Sequence, residues 1–338
     1  MKSPFTGGET ELVREPKKLE FRKEIFEIIH HSRRCKDTGE YFTTEELDRV
    51  NITQVHNKYR EKHNIPFPDQ IREVRHKSGL SATKMSEVLG FGINTYRNYE
   101  SGEVPQASNG KLIKLAANPK EFKRLIEISD TFTGRELKEL MNKIDFLIEQ
   151  DKDSDENLLK QLLSYKKLMP NVFTGYRDMK LDKLSNMIVY FAETVQPFKT
   201  KLNKLLFYAD FLNYKKTGYS ISGCNYRAIK LGPVPIGYDT LFEYFQRNER
   251  IFIDYIWFKD RDNIGEQFLP NPNRPFENEL FDETEINVLN FVSTYFKEAT
   301  FEDIIQASHN ERAWKERSKD NRPIEYDFAF DLSIELTE

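Results

Sequence analysis

Residue types that commonly carry catalysis or bind metals are sparse in this chain of 338 residues. It contains two cysteines, Cys35 and Cys224, and six histidines. Two thiols exclude both a disulfide framework and a zinc site built from four thiolates. Around His309, the sequence offers no Ser or Cys grouped with His and a carboxylate, no Gly-rich phosphate loop and no His/Asp metal cluster. The pattern favours a binding protein over an enzyme.

The isolated polar and aromatic residues of the C-terminal part are predicted to be structural. Asp210 and Asp239 fall at helical positions and are expected to face solvent. His309 is predicted to cap a helix or to bond a backbone carbonyl near Gly232, because a lone histidine more often satisfies the fold than catalyses a reaction. Trp314 is expected to pack over a domain core.

The side chains best suited to reading DNA lie on one face of a short predicted helix. This face comprises Asn94, Thr95, Arg97 and Asn98. Asparagine can pair bidentately with adenine, and arginine can pair with guanine or phosphate. Nearby cationic side chains could hold phosphates, namely Lys77, Lys84 and Arg72.

Three short helices between Asp69 and Gly102 are predicted to position these side chains. The first ends at Ser78-Gly79, Ser81 caps the second, and Gly90 ends it. The third runs from Asn94 to Tyr99. The tight turn between the second and third helices is what a helix-turn-helix needs, because the third helix must enter the major groove. The alternative is a small helical bundle with no DNA role.

Length and composition bound the class of protein. A chain of 338 residues suggests two or three domains, and 38% hydrophobic with 13% aromatic residues suffices for real cores. The net charge of −4 argues against a protein that binds nucleic acid over much of its surface. A small DNA-binding domain remains compatible with this charge, because local charge decides DNA binding. No apolar run approaches the roughly 20 residues that cross a bilayer, and the N-terminus has no apolar signal core, so we expect a cytoplasmic protein that contacts no membrane.

The expected fold class is mainly α with small β parts, divided into four segments. These are an N-terminal module at 1–68, a helix-turn-helix at 69–128, a helical connector at 129–170 and an α+β domain at 171–338. In the connector, apolar residues at helical spacing predict two helices separated by the acidic patch Asp151–Glu156. The first includes Leu137, Leu140, Ile144, Leu147 and Ile148, and the second includes Leu158, Leu162, Leu163 and Leu168.

The C-terminal domain contains a distinctive run from Lys201 to Pro235, KLNKLLFYADFLNYKKTGYSISGCNYRAIKLGPVP. It predicts a buried helix, a turn at Gly218, a short strand and a rigid GPVP elbow before a helix that begins at Tyr238. Tyr226, Ile229, Leu231 and Val234 are expected near the domain centre.

This run, together with ASHNERAW at 307–314, resembles the Panacea domain, an antitoxin domain related to the SocA-type proteolytic adaptor. The resemblance implies a protein that binds another protein, here a toxin. Toxin contacts are expected at five residues, Tyr226, Arg227, Tyr238, His309 and Trp314. Alternatively, the same residues form only the domain core.

The segment IREVRHKSGLSATKMSEVLGFGINTYRNYESG resembles the XRE class of helix-turn-helix, and more closely the MqsA-type antitoxin. In that family an Asn and an Arg on the recognition helix read bases. Asn94 stands at the first of these positions, but Asn98 occupies the second. Ala82 also replaces the Gln that often begins the second helix. The resemblance therefore implies DNA binding without fixing the sequence that is bound.

MqsA-type antitoxins begin with a ribbon carrying two Cys-x-x-Cys pairs. Here Ser3 and Thr6 stand where the first pair would be, and Cys35 and Thr38 where the second would be. This implies a degenerate ribbon that keeps its fold and binds no metal, so we expect no cofactor. Its core candidates are Leu19, Phe21, Ile25, Phe26, Ile28, Tyr41 and Phe42. The alternatives are an unrelated N-terminus, or rescue of a site by His30 and His31 with Cys35.

These resemblances together predict the antitoxin of a type II toxin–antitoxin pair. The C-terminal domain would neutralise a cognate toxin by direct contact. The helix-turn-helix would bind operator DNA at the protein's own promoter as a repressor, in a homodimer formed through the helix-turn-helix region. A stand-alone transcription regulator and a proteolytic adaptor remain as alternatives.

Overall fold

A computed structural model describes residues 1–150, 159, 169–259 and 263–336 of the chain. These residues form two compact units. One comprises 1–15, 29–50 and 170–338, and the other comprises 16–28 and 51–169. The acidic patch Asp151–Glu156 and the second predicted connector helix lie outside the described residues. The four segments proposed from the sequence stay a prediction.

The N-terminal module is a three-stranded sheet in the order β1-β2-β3. Its strands are β1 (Thr10–Phe21), β2 (Glu24–Cys35) and β3 (Tyr41–Phe42). Phe26 and Ile28 on β2 are buried, and Leu19 and Phe21 pack against them, as predicted. The prediction was wrong for Ile25 and Tyr41, which are exposed. Successive side chains of a strand point to opposite faces, so Ile25 cannot share the buried face of its neighbour Phe26.

Seven helices lie before residue 151. Those beyond residue 68 fall in the segments predicted to be helical, whereas the first, inside the N-terminal module, was not predicted. The seven helices are α1 (Glu45–His63), α2 (Pro68–Ser78), α3 (Ala82–Val88), α4 (Thr95–Glu100), α5 (Ala107–Ala116), α6 (Pro119–Ser129) and α7 (Gly134–Gln150). Helix α2 ends at Gly79 in the left-handed conformation, with φ 73°. Ser81 Oγ accepts a hydrogen bond from the backbone N of Lys84 at 3.2 Å and so caps α3, and Gly90 ends that helix with φ 70°.

Helix α7 belongs to the same hydrophobic core as α2 to α4. Leu140 and Ile144 are buried there, beside Ile71 and Met85. The first helix of the predicted connector exists, but it packs as part of a folded unit. Its apolar stripe is covered because α2 and α6 lie against it.

The C-terminal part combines six helices and five strands among the residues described. The helices are α8 (Leu181–Thr194), α9 (Lys199–Thr217), α10 (Tyr238–Arg247), α11 (Glu283–Phe296), α12 (Phe301–Asn310) and α13 (Arg312–Arg317). The strands are β4 (Tyr226–Ile229), β5 (Gly232–Pro235), β6 (Ile251–Phe258), β7 (Asn263–Pro270) and β8 (Pro323–Ile324). One sheet has the order β5-β4-β8 and the other pairs β6 with β7. The predicted fold class, mainly α with small β parts, is confirmed.

The GPVP elbow is strand β5 at the edge of its sheet. An edge strand tolerates Pro233 and Pro235, because proline cannot donate to a sheet ladder. Strands β4 and β5 are antiparallel, with Ile229 opposite Gly232. Leu231 therefore lies in the tight turn and is exposed, which corrects its predicted place in the core. Helix α10 begins at Tyr238, as expected.

Helix α9 is the centre of this domain. Every residue from Leu202 to Lys215 is buried, so its polar side chains need partners inside the protein. Asp210, expected to face solvent, is fully buried. Its Oδ1 accepts hydrogen bonds from the backbone N of Ile221 and of Ser222, both at 2.8 Å. Its Oδ2 accepts from Ser222 Oγ at 2.5 Å and from Tyr226 OH at 2.7 Å.

Lys204 is buried in the same helix. Its Nζ donates to the carbonyl oxygen of Pro233 at 2.9 Å, and within the described ranges no carboxylate pairs with it. Desolvation lowers the pKa of Lys204 to about 7. Gly232 lies against this side chain with φ 100°, and a Cβ there would approach Lys204 Cε and Ser308 Oγ at 2.5 Å each. The space beside Lys204 thus admits only glycine.

None of the helices in the described ranges is long and apolar enough to cross a membrane.

The buried ammonium of Lys204 predicts a pH-dependent stability. Above pH 7 the unfolded chain, whose lysine keeps an ordinary pKa near 10.5, binds more protons than the folded chain. The free energy of unfolding should therefore rise by up to about 1.4 kcal/mol per pH unit between pH 7 and 10 relative to Lys204→Met, which lacks the group. Urea denaturation of both proteins at pH 6, 7.5 and 9 measures this. A difference between them that does not change with pH would contradict it.

Candidate functional site

Helix α4 presents the residues that the sequence selected for reading DNA. Asn94, Arg97 and Asn98 are exposed, and Thr95 is half-buried. Tyr96 and Tyr99 point the other way into the core. Within the described part of the chain, the side chains of Asn94, Arg97 and Asn98 make no hydrogen bond or ion pair. Three polar side chains on the outer face of a packed helix are therefore available to a partner.

Buried contacts hold α4 in place from its inner face. Tyr96 OH donates to the carbonyl oxygen of Ile71 at 2.8 Å, and the backbone N of Tyr96 donates to Ser86 Oγ at 3.1 Å. These bonds fix α4 to α2 and to α3. Its outer face is therefore presented in one orientation.

An ion pair that the sequence did not suggest holds the other end of α4. Arg75 Nε donates to Glu100 Oε1 at 2.6 Å, and both side chains are largely buried. Arg72, predicted to hold phosphate, instead donates through NH1 to the carbonyl oxygen of Glu100 at 2.8 Å. Arg72 is thus a positioning residue in this structure. The sequence Tyr99-Glu100-Ser101-Gly102 at the end of α4 contained a signal for this pair, because a buried glutamate needs a cationic partner.

Lys77 and Lys84, the other predicted phosphate ligands, form local ion pairs. Lys77 Nζ lies 2.9 Å from Glu73 Oε1, and Lys84 Nζ lies 3.0 Å from Glu87 Oε2. Such exposed pairs along a helix contribute less than about 1 kcal/mol, so a phosphate could displace either carboxylate. Lys77 is exposed and Lys84 half-buried.

Two turns of the N-terminal module share one hydrogen-bond pattern. The backbone N of Gly7 donates to the carbonyl oxygen of Ser3 at 2.9 Å, and that of Gly39 donates to Cys35 at 2.8 Å. Both glycines are left-handed, with φ 74° and 78°. These are the two positions at which the sequence predicted remnants of Cys-x-x-Cys pairs.

The side chains from the two turns meet around the Cys35 thiol. Cys35 is buried, and Thr6 Oγ1 lies 3.6 Å from its sulfur. Hydrogen bonds with the hydroxyls of Ser3, Thr38 and Thr6 lower the pKa of Cys35 to about 6. The structure thus gathers all four predicted ribbon positions, as one thiol and three hydroxyls.

His309 and Trp314 hold the β4–β5 turn in place. Their rings stack with centroids 3.7 Å apart, and Trp314 Nε1 donates to the carbonyl oxygen of Ile229 at 2.8 Å. His309 makes a hydrogen bond with the backbone of Lys230, while burial lowers its pKa. The expected bond near Gly232 is present. Both side chains remain half-exposed.

Tyr226 does not offer a surface to a partner. It is fully buried, and its hydroxyl is committed to Asp210, so its predicted place in a contact surface is corrected to one in the core. Arg227 is exposed, because it points to the opposite face of β4. Tyr238 is half-buried, and Lys199 Nζ lies 5.7 Å from its ring centroid.

Two known protein families match this chain, one near each end. Residues 202–315 match the family described as "Antitoxin SocA-like, Panacea domain". Residues 1–125 match "Antitoxin component of bacterial toxin-antitoxin system, MqsA". The chain joins an MqsA-type segment to a SocA-like Panacea segment. Both resemblances drawn from the sequence are confirmed, and both families are antitoxins. No curated protein and no solved structure matches the chain at a significant level.

The MqsA-type segment lacks the ligands for zinc. A structural zinc site takes four nitrogen or sulfur ligands, and neutral hydroxyls are poor substitutes. One thiol with three hydroxyls, Ser3, Thr6 and Thr38, does not fit that ion. In the described ranges no other group of three or more His, Cys, Asp or Glu side chains could hold a metal, and the ring of His31 packs against Phe330 at 4.7 Å.

The purified protein should therefore carry less than one zinc per chain by elemental mass spectrometry. The triple variant Ser3→Cys/Thr6→Cys/Thr38→Cys restores four thiols on turns that already have the required backbone. It should take up about one zinc per chain. Stoichiometric zinc in the unaltered protein after dialysis against a chelator would contradict this account of the segment.

Proposed function

We propose that this protein is the antitoxin of a type II toxin–antitoxin pair and also represses its own promoter. The Panacea segment neutralises a cognate toxin by direct contact. Helices α2 to α4 act as a helix-turn-helix on operator DNA. The observation that carries the proposal is the presence of two antitoxin families on one chain.

The DNA-binding part of the proposal is supported by the outer face of α4. A recognition helix needs side chains that reach base edges and a scaffold that fixes their direction. Asn94, Arg97 and Asn98 supply the first, and the bonds of Tyr96 and Glu100 supply the second. Lys77 and Lys84 would exchange their carboxylate partners for phosphates.

The toxin-binding part is assigned to the Panacea segment. Of the five residues selected from the sequence, Arg227, Tyr238, His309 and Trp314 reach its surface. Arginine, tyrosine and tryptophan are the residue types enriched in binding hot spots. His309 and Trp314 also stabilise the β4–β5 turn, so their substitution changes the fold as well as the surface.

Loss of the recognition residues should separate the two activities. Asn94→Ala with Arg97→Ala should abolish specific promoter binding in a fluorescence-polarisation assay, because each good base contact contributes about 1–3 kcal/mol. Neutralisation of the toxin encoded beside this chain should be unchanged in a growth assay. Lys138→Ala, an exposed change on α7, serves as the control.

Failure of the well-folded double variant at both tasks would contradict this division of labour. Promoter binding by the unaltered protein without neutralisation would instead support a stand-alone transcription regulator. Toxin loss that requires a cellular protease would support a proteolytic adaptor.

We further propose a homodimer through the helix-turn-helix region. One recognition helix covers one half-site, and a palindromic operator requires two of them about 34 Å apart. Light scattering should give twice the mass of one chain at micromolar concentration. A monomer both with and without operator DNA would exclude this arrangement.

A further inference from the structure

The β6–β7 hairpin carries an apolar face that no other feature of the domain explains. Its two strands pair in antiparallel register, with Ile253 opposite Phe268, Tyr255 opposite Glu266 and Trp257 opposite Ile264. Alternate residues of a strand share a face. Ile253, Tyr255 and Trp257 therefore lie on the same side as Phe268 and Ile264.

Burial changes abruptly along this face. At its base Ile253 and Phe268 are buried, and the Phe268 ring contacts Phe242 of α10 with centroids 4.9 Å apart. Toward the tip, Tyr255 is 63% exposed, Trp257 53% and Ile264 57%. We call these three residues the hairpin face. A tryptophan and a tyrosine that are exposed at neighbouring positions on one face of a strand mark a contact surface.

Carboxylates border the hairpin face. Lys199 Nζ lies 2.5 Å from Asp239 Oδ1 and 2.9 Å from Glu266 Oε1, and Glu266 is the cross-strand neighbour of Tyr255. Glu243 is exposed one helical turn after Asp239 on α10. Asp239 and Glu266 share the single Lys199, and Glu243 adds a further exposed carboxylate on α10, so these four side chains carry a net negative charge. A complementary partner would be basic where it meets the border.

The hairpin face continues into a surface already selected from the sequence. Lys199, which holds Glu266 beside Tyr255, also lies over the ring of Tyr238. Tyr238, Lys199, Glu266 and Tyr255 thus form one strip across the domain. Tyr238, which was selected from the sequence, therefore lies on the same side of the Panacea segment as the hairpin face.

We propose that the hairpin face is the principal docking site for the toxin, and that the toxin covers it with an apolar contact surrounded by basic side chains. This inference rests on the proposed antitoxin function and names the place and chemistry of the contact. Trp257 and Tyr255 enter the interface core, where aromatic side chains contribute most of the affinity. Glu243, Asp239 and Glu266 form its polar border.

Substitutions on opposite faces of β6 test the proposal. The probe is the purified toxin encoded beside this chain. Tyr255→Ser with Trp257→Ser should weaken its binding at least a hundredfold by surface plasmon resonance and abolish neutralisation. Phe252→Ser is the matched control, because Phe252 is an aromatic residue on the other face of the same strand and is 45% exposed. It should leave affinity unchanged.

The border is tested separately by Glu243→Lys. This change should lower the association rate several-fold at low salt and leave little effect at high salt, as expected for a charge at the edge of an interface. An unchanged association rate at low salt would exclude the basic partner surface.

A direct measurement keeps the proposal testable if the double variant unfolds. Fluorotryptophan labelling gives two ¹⁹F signals, from Trp257 and Trp314. Trp257→Phe assigns them. Unlabelled toxin should shift or broaden the Trp257 signal, and an unmoved Trp257 signal in a formed complex would overturn the proposal.

The outcomes distinguish the inference from the function on which it rests. If the unaltered protein neutralises the toxin and the folded double variant does so equally, the docking site is wrong and the antitoxin function stands. If the unaltered protein does not bind the toxin, the proposed antitoxin function is wrong, and the docking site that rests on it is wrong as well. If the double variant converts a dimer to a monomer and keeps its toxin affinity, the hairpin face joins two copies of this chain instead.

Discussion

The carboxylate of Asp210 is the interaction on which the Panacea segment depends. It lies inside a helix that is buried on every side, and it accepts four hydrogen bonds from Ile221, Ser222 and Tyr226. Burial raises its pKa, while those donors favour the charged form. A carboxyl group in this environment is tolerable only because the donors replace water. The same bonds fix the loop that leads into β4.

The position of β4 then decides the rest of the sheet. Strand β4 begins at Tyr226. Just before it, the carbonyl oxygen of Cys224 accepts a hydrogen bond from the hydroxyl of Tyr326 at 2.9 Å. The ring of Tyr326 stacks on that of Phe211 in α9, with centroids 4.3 Å apart. The following turn is held by Trp314 and His309, and β5 passes over Lys204. The Panacea match spans residues 202–315, and the contacts just described join its distant parts into one connected set. Most of its members serve the fold, and the surface residues follow from where the fold leaves them.

Local chemistry made the helical ends and turns predictable from the sequence. Gly79, Ser81 and Gly90 mark their positions because a left-handed backbone and a capping hydroxyl need those residue types. Exposure in the larger fold was not predictable in this way. Asp210 resembles any helical carboxylate until α9 is known to be covered on all sides. The hairpin face was missed because Tyr255 and Trp257 alternate with other apolar residues, and the same pattern describes a strand buried on both faces. Which half of a strand protrudes depends on contacts distant in sequence.

The two cores are larger than the stretches that identify the families. The MqsA-type match ends at residue 125, yet Leu140 and Ile144 of α7 fill the core around Met85. The Panacea match begins at residue 202, yet α8 lies earlier and its buried face packs on α9. Recombination that exchanged either segment at the family boundaries would leave a hole in each half. The C-terminal unit resumes at Pro170, and Tyr176 is already buried there against Tyr214 of α9. A joint that keeps both cores whole therefore falls after α7 and before Pro170, so inheritance of these segments is expected to carry α7 with the one and α8 with the other.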